Sequence, residues 1–81
     1  MKFNFPKIKI KGHRNKIKRQ VYKIQEETYE YLEELDDMEC LDILQATETL
    51  IRLHFKGREK EIDDLIDDVI IKNLNRGYYE K

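Results

Sequence analysis

The sequence predicts an all-α protein: a small helical bundle of three main helices behind an extended basic N-terminal arm, completed by oligomerisation. Three observations carry this expectation. Apolar residues recur at helical spacing in three successive segments. Asp36–Asp37, Gly57 and Gly77 punctuate those segments. The chain has 81 residues and one cysteine, so it lies near the size at which a single core can stabilise a fold unaided, and no intramolecular disulfide can help.

The first element is the arm, residues 1–13. KFNFPKIKIK alternates apolar and polar residues at Phe3, Phe5, Ile8 and Ile10, and Pro6 interrupts the alternation, so it reads as an extended arm or a short edge strand. The helical domain, residues 14–81, follows Gly12. Ile17, Val21, Ile24, Tyr31 and Leu35, with Thr28 in the same stripe, predict a helix from about Arg14 to Leu35. Asp37 is the expected N-cap of a second helix running to about His54. That helix is apolar over a broad arc from Cys40 to Phe55, as befits a central helix buried against more than one neighbour. Gly57 ends it. A third helix, Arg58 to about Asn75, carries Ile62, Leu65, Ile66, Val69, Ile70 and Leu74 on one face, with Asp63, Asp64, Asp67 and Asp68 on the other. There is no internal repeat, low-complexity tract or second domain.

The net charge is −1, but the charges are segregated. Residues 1–23 hold nine Lys/Arg and no acid, while the remaining 58 hold all 17 acids. Such asymmetry suits a nucleic-acid arm, or a basic segment that folds against the acidic body or a phosphorylated ligand. No apolar run approaches the roughly 18 residues that would span a bilayer. The start lacks the apolar core of a secretory signal. The lone Cys40 suits a reducing compartment, so the expected location is cytoplasmic.

The chemistry concentrates in EETYEYLEELDDMECLD, Glu26 to Asp42. It contains two acid pairs at i,i+3 spacing, Glu27/Glu30 and Glu39/Asp42, separated by a turn. Both cross-pairs, Glu27 with Asp42 and Glu30 with Glu39, are centred on the same point of that turn. An antiparallel hairpin therefore sets Glu27 opposite Asp42 and Glu30 opposite Glu39. Glu39 also falls inside the apolar arc of its helix, where an unpaired carboxylate is costly to keep ionised. Four facing carboxylates repel unless a cation lies between them. An all-oxygen set with no histidine suits Mg²⁺ or Mn²⁺, and the chemistry such an ion favours is attack on a phosphorus centre. The competing reading is a solvated acidic helix face whose first-turn acids complement the helix dipole. His13 and His54 have no partners at ligand spacing and read as structural or capping residues. Cys40 reads as a small core residue, with no activating cation nearby.

The run KIQEETYE, Lys23 to Glu30, followed by ECLDILQA, Glu39 to Ala46, resembles the MazG-like all-α nucleotide pyrophosphohydrolases. Their signature is a K-[LI]-x-E-E-x-x-E helix followed by an E-x-x-D helix. The tail NLNRGYY, Asn73 to Tyr79, is similar to the close of short phage-type members. The resemblance covers residues 20–79. It implies that Glu27, Glu30, Glu39 and Asp42 hold Mg²⁺, with Glu26 and Glu30 in catalytic roles and Glu26 as a supporting group or base. It implies hydrolysis of a nucleoside triphosphate between the α and β phosphates, giving monophosphate and pyrophosphate. Lys23, Lys72, Asn75, Arg76 and Tyr78 become candidates for phosphate or base contacts, and a homodimer or homotetramer is implied. The chain departs from the family in the eight residues between Glu30 and Glu39, a shorter connection that leaves less room for a nucleotide.

Two other function classes stand beside this one. A non-enzymatic interaction or inhibitor protein would use the acidic helical surface, Asp63, Asp64, Asp67 and Asp68 included, against the basic site of a protein partner. A nucleic-acid binder would be led by the arm. It ranks last, because the acidic body repels a phosphate backbone.

Overall fold

The computed structural model describes residues 1–12 and 14–80. His13 and Lys81, and with them the expected role of His13, lie outside the described residues. The fold is all-helical with three helices: α1 (Lys16–Glu34), α2 (Asp37–His54) and α3 (Ile62–Asn75), the last entered through a 3₁₀ turn at Glu59–Glu61. Among the described residues there is no strand, so residues 1–12 form an arm and not an edge strand. No described helix is long and apolar enough to cross a membrane.

α1 and α2 form an antiparallel hairpin joined by Leu35 and Asp36 alone. Leu35 takes the left-handed conformation, φ 52°, and its N–H donates to the Tyr31 carbonyl at 2.7 Å, closing α1. Asp36 then caps α2, its carboxylate accepting the Met38 N–H at 3.2 Å. The cap therefore lies one residue earlier than expected. Both aspartates satisfy the capping chemistry, but Asp36 is the one with extended backbone, φ −85° and ψ 141°. Asp37 instead joins Glu39 in the first turn, and Arg52 and His54 occupy the last, so α2 is charged in the sense its dipole favours. Gly57, at φ 79°, turns the chain after α2.

α2 is the most buried helix, holding Ala46, Glu48 and Thr49 in the interior. Its buried face is narrower than its apolar arc. Cys40 is exposed, which corrects the expectation of a core cysteine, and Leu41 and Leu44 are exposed beside it. The arm covers another part of α2. The Asn4 and Phe5 N–H groups donate to the Glu48 carboxylate, the latter at 3.0 Å. Arg52 donates to the Phe5 carbonyl at 2.8 Å, with its guanidinium 4.2 Å from the centre of the Phe3 ring. Glu48 is only 2% exposed, so the deepest acid of the molecule serves as the fastener of the arm. The amino terminus pairs with Asp63.

α3 buries Ile62 at its start. The rest of its apolar face, Leu65, Ile66, Val69, Ile70 and Leu74, is 39–61% exposed.

Candidate metal centre

The hairpin brings carboxylate oxygens of Glu27, Glu39 and Asp42 within 4.8 Å of one another. Glu27 comes from the middle of α1, while Glu39 and Asp42 come from successive turns at the start of α2. The two-residue turn fixes the register that sets them face to face. Glu27 is 8% exposed, and its Oε1 lies 2.9 Å from the Lys23 ammonium one turn earlier. The ammonium also reaches Glu26, at 3.7 Å. Its pairing with Glu27 holds the Lys23 pKa above the ordinary lysine value.

Glu39 is the strained member of the set. Its Oε2 is buried and has no hydrogen-bond partner. Desolvation first, then the neighbouring Glu30 carboxylate, then Asp42 and Glu27, push its pKa above the ordinary glutamate value. An orphaned, desolvated carboxylate oxygen facing other carboxylates is where a cation would supply what the chain lacks. The donor set fits a hard divalent ion: oxygen only, with no histidine or cysteine in the group.

The cluster opens into a groove of about 680 Å³ between the arm, α1 and α2. Glu26, Glu27 and Asp42 line one end of it, with Lys23 beside them. Lys9 and Lys11 of the arm line the rest, together with Lys16 and Arg19 of α1. The volume is that of a small-molecule site.

Of the residues singled out in the sequence, Glu27, Glu39 and Asp42 meet at this centre, Lys23 and Glu26 line the groove beside it, and Glu30 stands beside Glu39, with Glu30 and Glu39 outside the groove lining. Lys72, Asn75, Arg76 and Tyr78 do not line the groove; they lie at the far end of α3, where Arg76 stacks over Tyr78 with 5.9 Å between the guanidinium and the ring centre. Sequence reasoning passed over Lys9, Lys11, Lys16 and Arg19 as groove residues, and Glu48 and Arg52 as anchors. The signal for the first group was the acid-free run of residues 1–23. Glu48 carried the same signal as Glu39, a carboxylate in line with apolar residues, here Leu44 and Ile51.

No protein-family model matches this chain, and neither does any curated protein or any solved structure at a significant level.

Proposed function

We propose that the protein hydrolyses a nucleoside triphosphate between its α and β phosphates, with Mg²⁺ or Mn²⁺ as cofactor, to release a nucleoside monophosphate and pyrophosphate. The observation that carries this reading is the unpartnered, buried Glu39 oxygen at the meeting point of Glu27, Asp42 and Glu30. Glu27, Glu39 and Asp42 would hold the ion, with Glu30 at its edge. When bound, such an ion polarises a phosphoryl oxygen and lowers the pKa of an attacking water. The likeness of the two acidic motifs to the MazG-like enzymes supports the same bond as the point of cleavage.

The side chains of the chain itself have distinct tasks in this reaction. Glu26, exposed on the groove wall, accepts the proton of the water that attacks the α phosphorus, and Glu30, exposed beside Glu39, supports it. Lys23 neutralises Glu27 in the resting protein and turns to the phosphates as substrate arrives. The bond from the α phosphorus to the bridging oxygen breaks, and that oxygen leaves with the pyrophosphate. The exposed apolar face of α3 suits association of copies into a homodimer or homotetramer.

The test is release of pyrophosphate, measured separately from orthophosphate, from each NTP and dNTP with and without Mg²⁺. We expect metal-dependent pyrophosphate that falls by about a hundredfold or more in Glu30→Ala and Asp42→Ala, with helical circular dichroism unchanged. No pyrophosphate from any nucleotide would overturn the reading. The acidic surface of α3 would then be tested for capture of a basic protein partner.

A further inference from the structure

Four cations on the groove wall have no carboxylate partner among the described residues. Lys9, Lys11, Lys16 and Arg19 all line the groove, yet among the described residues none of them makes an ion pair. Lys23, the remaining cation there, is already engaged by Glu27 and Glu26. Gathering unpaired like charges along one wall raises the energy of the folded state unless an anion compensates.

Two further features point the same way. α1 begins with no acid in its first turn and no side-chain cap from Asn15, so the positive end of its dipole adds to Lys16 and Arg19 instead of being offset. The arm is also fastened. The Glu48 carboxylate receives two of its backbone N–H groups, Arg52 holds the Phe3 ring and the Phe5 carbonyl, and Pro6 fixes its own φ and restricts Phe5 before it. Lys9 and Lys11 follow these anchored residues and line the groove beside α1.

We propose that Lys9, Lys11, Lys16 and Arg19 form a polyphosphate clasp in which the N-terminal arm supplies half of the anion-binding wall. The ligand class is a nucleoside triphosphate or other short linear polyphosphate. Its terminal phosphates lie against the clasp, and its α phosphate meets the acidic end of the groove. A continuous nucleic-acid backbone fits poorly, since it would run on into Glu26, Glu27 and Asp42. The clasp deepens the pyrophosphohydrolase reading and rests on it for the orientation of the ligand.

Calorimetry on the full chain with inorganic tripolyphosphate in EDTA tests the clasp alone, and electron paramagnetic resonance with Mn²⁺ alone tests the acid cluster. We expect the unmodified chain to bind tripolyphosphate. The Lys9→Gln/Lys11→Gln variant, altered only at exposed positions, should bind it about tenfold or more weakly while taking up Mn²⁺ as before. Glu39→Gln/Asp42→Asn should lose Mn²⁺ and keep tripolyphosphate. Equal tripolyphosphate affinity in the lysine variant, or none in the unmodified chain, overturns the clasp. Failure of Mn²⁺ to bind while tripolyphosphate binding responds to the lysines supports the clasp and overturns the metal reading. Tighter, salt-sensitive binding of a short single-stranded oligonucleotide than of tripolyphosphate would overturn the clasp in favour of nucleic acid.

Discussion

Glu39 sets the behaviour of the site at the scale of single residues. Its carboxyl is held above the ordinary glutamate value by desolvation and by the acids around it. The folded chain therefore binds this proton more tightly than the unfolded chain does. The resulting stability is fully present below the unfolded glutamate pKa of about 4.3 and is lost as pH rises through the higher folded value. Glu59 works in the opposite sense, because its own N–H and that of Gly57 lower its pKa, so the comparison must be made against a variant. In EDTA, Glu39→Gln should melt at a higher temperature than the parent at neutral pH, and the gap should close as pH falls toward about 4. A gap that stays constant with pH would contradict this account. Glu39 was legible in the sequence because a carboxylate on an apolar stripe demands a partner. Cys40 was misread because its apolar arc is wider than the face that α1 and the arm cover.

At the scale of elements, α1 is charged against its dipole. Lys16, Lys18 and Arg19 crowd its start, and Glu33 and Glu34 its end, with no acid in the first turn and no base in the last. Each end forgoes a few tenths of a kcal/mol or more, and each borders on part of the candidate site: the groove cations at one end, the hairpin turn at the other. Such local conflicts are expected where a site is being built. The turn carries a second conflict, a leucine in the left-handed conformation that is 66% exposed. Leu35→Gly should stabilise the protein by about 1 kcal/mol, because glycine takes that conformation without steric cost and little packing is lost. A higher denaturant midpoint with unchanged slope would bear this out. Periodicity made all three helices readable. The exact cap did not follow from it, because adjacent aspartates are chemically equivalent until the backbone chooses between them.

The whole molecule is loosely built. Its radius of gyration is 14.7 Å, against about 12 Å for a compact chain of this length. Among the described residues no large side chain is fully buried, and the buried polar residues, Glu27, Glu48 and Thr49, outnumber the apolar ones, Ala46 and Ile62. The apolar face of α3 is where the missing burial would come from. Sedimentation should therefore find a dimer or larger species, and Val69→Asp should shift it toward monomer and lower the melting temperature by several degrees. A monomer at every concentration would contradict this. Short length and a single cysteine already implied such association. The fastening of the arm was not legible, since it depends on which turn of α2 presents Glu48 and Arg52 to the backbone of residues 3–5.

The two-residue connection between α1 and α2 also bears on how the chain reaches its native state. Glu27, Glu39 and Asp42, with Glu30 beside Glu39, lie within residues 27–42, so they meet as soon as the hairpin closes, one of the entropically cheapest steps available to this sequence. If the hairpin closes early, their repulsion opposes folding as well as the finished protein. A divalent ion that relieved it would raise the rate of folding in addition to slowing unfolding, and such an ion would take part in the assembly of the site that holds it.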